Sequence, residues 1–468
     1  MSTYKRTLLC CAITACGINS AHSVASSVFD SFIDDTSMDG KLRTVYYDIH
    51  NTEKDSTSGA WTEALWLNFQ SGYLGDVFAL GGTFYGDTKL YMSENNTDSY
   101  QLLIDEYETM NGAKTRKSSD GFGKIGQAWV DLKLPSSIKN ASGHFQAGRQ
   151  IVYTGLISSS GSRSVESTWR GYKIDGSSYG LGFGLAYVDQ MSLRNQSGFH
   201  ELTNFNGKQI DNIIGGELTY TFELAHQRSL RLRYRNAYAK DFLQAHNGDI
   251  QFNTPLTDNI ELSVGGKYYK VKNDGNLWDG SAWGKPAFDD DASVYNLYFS
   301  MDVNSWNVRA GVSHYDAKST SPDTSNVEKT GYIRPGSYFY DLGKNTHGIW
   351  DIGTSGFAED MLYDGETVWM AGVSYNFSNI GIQGLKLGYA FHYGSGMEVT
   401  EAKTGKKSST SEFENDIHII YDFPQQKLRG LSFKLKYGIY KNDEQLRKAI
   451  TKEENDLRVW LDYDFLLF

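Results

Sequence analysis

The sequence predicts an all-β fold, a transmembrane antiparallel β-barrel. Three observations point there. Apolar and polar residues alternate in run after run along the chain. No cysteine occurs beyond Cys16. The last run is amphipathic and ends on an aromatic residue, Phe468.

Residues 1–25 read as a secretory signal peptide: Lys5 and Arg6 open it, an apolar run covers 8–18, and Ala21, Ser23 and Ala25 suit an A-x-A-like cleavage site. The run is about half the length a membrane helix needs, so it is an address and not an anchor. A lipoprotein reading, with processing at Cys16 after Ile13-Thr14-Ala15, is the alternative; the apolar stretch before it is very short. Cys10, Cys11 and Cys16 all lie inside this leader. Residues 26–468 therefore carry no disulfide, thiol chemistry or Cys-bound metal, which suits passage through an oxidising periplasm.

Removing the leader takes two basic and no acidic residues, leaving 43 basic against 56 acidic, a net of −13. Nucleic acid is excluded as a partner on that balance. No later segment has 18 consecutive apolar residues, so helical spans are excluded. Glycine at 48 against proline at 6, with 31 Tyr and 24 Phe, fits one large β structure rich in turns and aromatics. Residues 26–468 read as a single barrel domain.

In a strand, successive side chains face opposite sides, and a membrane barrel turns that into apolar toward lipid and polar toward the lumen. In 229–240, Leu230, Leu232 and Tyr234 interleave with Arg231, Arg233 and Arg235. In 260–265, Ile260, Leu262 and Val264 do so with Glu261 and Ser263. Trp306, Val308, Ala310 and Val312 alternate with Asn307, Arg309 and Ser313. Leu385, Leu387, Tyr389 and Phe391 alternate with Lys386 and His392, and Leu431, Phe433, Leu435 and Tyr437 with Lys434 and Lys436. One such run also fits a soluble sandwich; the repetition favours the barrel. Joints such as 303–305 and 379–383 are short, whereas 89–121, 273–291 and 315–365 are long and polar and are expected outside the cell. The terminal run 457–468 places Val459, Leu461, Tyr463, Phe465 and Leu467 on one face, with a bend expected near Asp464 because Phe468 is out of phase. An aromatic C-terminus of this kind resembles the signal read by the barrel-assembly machinery.

Several short segments stand out in a fixed order along the chain. They are Phe32-Ile33-Asp34-Asp35 with Arg43 and Tyr46-Tyr47, Phe69-Gln70-Ser71-Gly72-Tyr73, and Gly123-Lys124-Ile125-Gly126. Ser162-Arg163 with Thr168-Trp169-Arg170-Gly171 follows, then Ser192-Leu193-Arg194-Asn195. Tyr375, Phe377, Gly381-Ile382-Gln383-Gly384-Leu385 and Arg429-Gly430-Leu431-Ser432 come next, and 455–465 closes the series. In their order and spacing these segments resemble the OprD family of outer-membrane porins, and the resemblance spans the whole chain after the leader. It implies an outer-membrane barrel of about 18 strands for passive, substrate-selective diffusion of small hydrophilic solutes, with an inward-folded constriction loop and a basic wall. Here that loop falls at about 150–169, with Tyr153, Ser159, Arg163 and Glu166 as its functional positions. The chain departs from the family at Gln383 and Asp464, where proline is usual, and at Lys434 and Lys436, where arginine is usual. The constriction loop also lacks the family's prolines. One member's substrate therefore does not transfer.

The solute path expected from these residues is a basic wall of Arg231, Arg233, Arg235, Arg309, Lys434, Lys436 and Arg458, with Lys267 beside it. Alternate residues on a strand stand about 7 Å apart, so a carboxylate passes from one guanidinium to the next. The bland alternative is that the arginines pair with acidic lumen residues and stiffen the wall. Arg163 and Glu166 are either opposite poles of the constriction or a loop-holding ion pair. Carboxylate-bearing nutrients, such as amino acids or organic acids, are the expected solutes. Chitooligosaccharides, as in the related chitoporins, are the alternative. Trp129 and Tyr269 lie on the polar phase of their strands, as stacking surfaces for sugars or as packing beneath the loop. Leu277-Trp278-Asp279-Gly280 with Trp283 reads as loop structure before sugar platform, and Asp289-Asp290-Asp291 as a solvated charge run before a cation site.

No H-E-x-x-H, phosphate loop or paired metal spacing occurs, and the histidines (144, 200, 226, 246, 314) are scattered, so neither an enzyme nor a cofactor is expected. An adhesin or receptor acting through the long loops, or an outer-membrane hydrolase on the same barrel, is a lesser alternative. The expected partners are outer-membrane lipid, lipopolysaccharide, the assembly machinery and small solutes. A monomer is expected, with a trimer as the alternative.

Overall fold

The computed structural model describes residues 32–110, 113–134, 140–282, 285–320 and 322–468. The signal peptide expected at 1–25, with its cysteines, and Trp283 lie outside the described residues. Eighteen strands form the wall: β1 (Ser37–Asn51), β2 (Trp61–Gln70), β3 (Phe78–Tyr91), β4 (Phe122–Lys133), β5 (Ala141–Gln150), β6 (Thr168–Ser178), β7 (Leu181–Ser192), β8 (Ile213–Leu224) and β9 (Arg228–Ala239). They continue as β10 (Leu243–Thr257), β11 (Ile260–Asn273), β12 (Asp291–Val303), β13 (Trp306–Asp316), β14 (Thr367–Asn376), β15 (Leu385–Glu401), β16 (Lys407–Asp422), β17 (Leu431–Asn442) and β18 (Glu454–Leu466). Each pairs antiparallel with its neighbours, and β1 closes on β18 from Asp39↔Leu466 to Asn51↔Glu454. Closure leaves no strand edge, the condition for a sheet to sit in hydrocarbon.

The alternation sets the faces. On β9, Leu232 and Tyr234 are exposed on the outer wall, whereas Arg231, Arg233 and Arg235 point inward. Near the short turn at 304–305, Trp306 packs its ring 4.5 Å from Tyr375, which meets Phe377 at 4.8 Å. Rings at that level form part of an interfacial girdle. The strands run 10–17 residues, longer than the readable alternation, because several continue beyond the membrane slab toward the loops.

Two expectations are corrected. No bend occurs at Asp464: β18 stays in register with β1 through Lys41↔Asp464 and Gly40↔Phe465. The Phe465 ring lies over Gly40, where a Cβ would meet it at 2.3 Å, so glycine on β1 makes room that a kink would otherwise have to provide. The long loop at 315–365 does not stay outside either. Its described part from 334 onward folds back into the barrel and, with 151–167 and 193–212, encloses a hydrophobic core inside the mouth. Val152, Leu156, Ile157, Leu342, Met361 and Tyr363 pack there against Ala237, Ala245, Val271 and Val294 of the wall. The apolar lining explains the fold-back, since a wall open to water at that height would expose these side chains. Trp278 joins the same core, stacked on Phe288 at 4.4 Å with its Nε1 donating to the Phe288 and Asp289 carbonyls, so it is loop structure.

Candidate functional site

The first constriction is the segment 151–167. Tyr153–Thr154 and Ile157–Ser158 pair as a tiny hairpin around Gly155, whose φ of 62° is left-handed. A Cβ on Gly155 would sit 2.3 Å from the Asn236 carbonyl oxygen, so only glycine lets the loop lie flat on β8 and β9. The far side is tied by Trp66 Nε1 to the Ser164 carbonyl (2.8 Å), by the Tyr47 hydroxyl to the Ser162 carbonyl, and by Arg43 to the Gly161 and Arg163 carbonyls (2.9 and 3.0 Å).

The long loop then completes the constriction. Ile157 bridges Gly348, Ser158 N–H donates to the His347 carbonyl (3.1 Å), and Ile349 N–H to the Leu156 carbonyl (3.0 Å). Beyond this clasp, the Asp351 carboxylate accepts from Arg233 (3.2 Å), Arg235 (3.1 Å) and the Tyr269 hydroxyl, with Lys267 Nζ at 3.3 Å. Burial opposes its charge, but Arg235 and Lys267 outweigh that and hold the carboxyl well below the usual carboxylate range. Thr354 meets Ser313 (2.5 Å), and its carbonyl oxygen lies 2.8 Å from His392 Nδ1. Glu414 accepts the backbone N–H groups of Phe357, Ala358 and Glu359 at 2.5, 2.6 and 2.9 Å.

These contacts divide the basic residues read from the sequence. Arg235 is 2% exposed and bonds Asn247, Tyr269 and Asp351; Arg233 bonds Asp249 and Asp351; Arg231 bonds Gln251. Tyr269 is equally buried, beneath the loop and against Trp350. Lys434, Lys436 and Arg458 instead line an open cavity of about 820 Å³ together with Arg43, Arg194 and the serine run 158–162. Arg458 is held by Asp456, and Arg43 by Asp462 at 2.7–2.8 Å. Lys434 and Lys436 make no ion pair among the described residues; they lie over the Trp460 and Phe357 rings at 4.7 and 4.8 Å. Both also line a second cavity of about 510 Å³ with Arg309, Lys386 and His418, nearer the rim of short turns. The basic positions on β17 thus connect the two chambers.

The constriction residues divide too. Ser159 is buried and accepts from Val152 N–H inside its own loop, so Ser160 and Ser162 are the serines that meet Arg194 (2.9 and 2.8 Å). Arg163 donates to the Tyr100 carbonyl and lies over the Tyr47 and Tyr100 rings, whereas Glu166 accepts from Tyr85; the two make no ion pair with each other among the described residues. Burial raises the Glu166 carboxyl above its ordinary range against the opposing pull of Tyr85 and Arg43. Tyr153 is 54% exposed on the opposite side of the loop from the 820 Å³ cavity's lining. In the charge run, Asp289 fastens Thr320 and Asp291 pairs with Lys270.

A family model described as outer membrane porin, OprD family, matches residues 30–467. The chain belongs to the OprD family. As a member it is an integral outer-membrane channel protein, and its family implies contact with small solutes and outer-membrane lipid. Solved relatives share the barrel: OccAB2 of Acinetobacter baumannii (TM-score 0.72, 19% identity, 94% of this chain and 100% of that one) and OccAB1 of the same organism (0.74, 17%, 96% and 100%). OpdK of Pseudomonas aeruginosa, solved with vanillate, matches at 0.69 and 17% identity over 93% and 100%. No curated protein matches the sequence.

Against this OprD-family frame, Arg43, Arg194, Asp341 and Asp360 are cavity residues that sequence reading missed. Arg43 and Arg194 sit in segments that carry the family resemblance, so position alone flagged them. On β1 the signal was obscured because the inward face also carries Val45, Tyr47 and Ile49, all buried under the inserted loops.

Proposed function

We propose that this porin passes small hydrophilic solutes by passive diffusion and favours those bearing a carboxylate, such as amino acids and organic acids. The supporting observation is the pair Lys434 and Lys436, without ion pairs among the described residues and shared by both chambers. A carboxylate entering near Arg43 and Arg458 meets these ammonium groups next, then Arg309 and Lys386. Tight binding would stall transport; separate half-buried cations facing a water-filled lumen give weaker, successive contacts instead. That OpdK was solved with vanillate, itself a carboxylate, is in keeping with the reading.

The pore is complete within one chain, since β1 meets β18, and so we take the monomer as the working unit, its residues 1–25 removed on export and its terminal strand read by the assembly machinery. A channel role without catalysis is in keeping with the family's description as porins.

A second reading, chitooligosaccharide passage, draws on Trp460, Phe433 and Phe357 in the cavity lining. Current through single channels in planar bilayers separates the two. Benzoate should interrupt the current and chitotriose should not; block by chitotriose alone would overturn the carboxylate reading. A correctly folded barrel that never conducts would overturn the channel itself.

A further inference from the structure

The long inserted loop ends at Glu366, the residue before β14, and there it meets a second carboxyl. Glu366 and Glu412 of β16 are both fully buried and hydrogen-bond one another. They meet across β15, the strand between β14 and β16, at Gly394. Gly394 pairs with Glu412, and a Cβ there would lie 1.9 Å from Glu366 Oε1 and 3.3 Å from Glu412 Cγ. Glycine at this position is what lets one carboxyl reach the other. The second oxygen of each is already engaged: Glu366 Oε2 accepts the Tyr363 N–H (3.0 Å), and Glu412 Oε2 accepts the Tyr440 hydroxyl. Oε1 of each is buried and receives no N–H or hydroxyl donor among the described residues. Buried acceptors are seldom left in that state, so a proton between the two carboxyls is the donor that completes them.

The charges around the pair agree with one proton there. Glu359 of the same loop acts on both carboxyls and adds a further negative charge. The Lys452 ammonium also acts on Glu412, but it is held between Glu359 (2.8 Å) and Glu454 (3.4 Å). The other titratable neighbours are phenols: Tyr440 on β17, Tyr315 on β13 and Tyr363 in the loop. Two adjoining carboxylates in so dry a place do not both ionise. Burial, then Glu412, raises the Glu366 carboxyl well above its ordinary range.

We propose that Glu366 and Glu412 share one proton across Gly394, that this proton clamps the end of the inserted loop to the barrel wall, and that alkaline medium releases it. On release one O–H bond breaks, the proton passes to water, and two carboxylates face each other at the foot of the loop. Their repulsion pushes the loop end off β16, and the pore widens. The clamp is complete below about pH 4, where a freed glutamate would be protonated as well. It weakens as pH rises and is lost once the shared proton leaves. It operates whichever solute the pore carries.

Single-channel conductance in planar bilayers at about pH 7 and about pH 10 tests it. Wild-type conductance should rise at the higher pH and return when the pH is restored. E366Q and E412Q each put an amide N–H where the shared proton lies, so in both the rise should be lost. E366A/E412A removes the clamp and should be wide already at pH 7. Lys434 and Lys436 also lose charge in alkaline medium, but these substitutions leave them in place. A rise that persists in both glutamine variants therefore belongs to the lysines and overturns the clamp. A wild type without the rise, or E366A/E412A with wild-type conductance at pH 7, overturns it too. Should one glutamine variant fail to form channels, the other carries the same test.

Discussion

Arg235 on β9 and Asp351 of the long loop meet at 3.1 Å through both carboxylate oxygens of the aspartate, and this pair fastens the inserted loop to the barrel wall. Its arginine is buried and its aspartate partly open to the lumen. The contact turns an arginine that alternation marked as a pore residue into an anchor for the constriction.

Asp351→Asn should loosen the loop, leaving Arg233, Arg235 and Lys267 without their shared counter-charge. Loss of charged hydrogen bonds of this kind costs about 1–3 kcal/mol, the lower part applying because lumen water reaches the aspartate. Single-channel conductance should rise and become noisier. The carboxyl is held below its ordinary range, so its stabilisation is complete above about pH 4 and is lost only as pH falls further through the depressed value. Wild-type conductance should therefore show no step from this group between pH 5 and 8.

His347 gives a different pH window. Burial, then Arg194 and Arg163, push its imidazole well below the ordinary histidine value, so the folded loop holds it neutral. Its stabilisation is complete above about pH 6.5 and declines as pH falls below that, where the released loop would take up the proton. Gating noise should increase between pH 7.5 and 5 in the wild type, and His347→Asn should remove that dependence. A variant with the same pH profile as wild type would refute the assignment.

Glu414→Ala removes the acceptor of three consecutive backbone N–H groups. Each buried donor left unpaired costs about 1–3 kcal/mol, and water entering from the lumen recovers part of it. The expected net loss is ~2–4 kcal/mol, read as a lower temperature for the shift from folded to unfolded gel mobility, together with larger conductance.

Lys434→Ala with Lys436→Ala tests the track. A unit charge about 6 Å from a permeating ion is worth about 0.7 kcal/mol in water, a factor of roughly three in preference. Reversal potentials in a salt gradient should move toward cation selectivity by about that factor per lysine, and raised ionic strength should shrink the effect. Unchanged reversal potentials would return both lysines to a packing role over Trp460 and Phe357.

The sequence alone determined the barrel, because lipid on one side and water on the other impose a two-residue period that survives in runs such as 229–240 and 306–313. It also marked Lys434, Lys436 and Arg458 as inward-facing, since each occupies the polar phase of a readable strand. It could not determine which inward residues remain open. Arg231, Arg233 and Arg235 follow the same alternation as Lys434 and Lys436, and a period of two carries no record of what crosses the lumen. That was decided by the long inserted loop: Asp351 reaches β9 across more than a hundred residues of sequence. Another inserted segment, with Tyr100, Leu102 and Leu103, packs with Val45 and Tyr47 on the inward face of β1, which breaks the polar signal beside Arg43. Alternation is a local property of one strand against its solvent. The open track exists only where the inserted loops leave the wall uncovered, which is a property of the closed barrel.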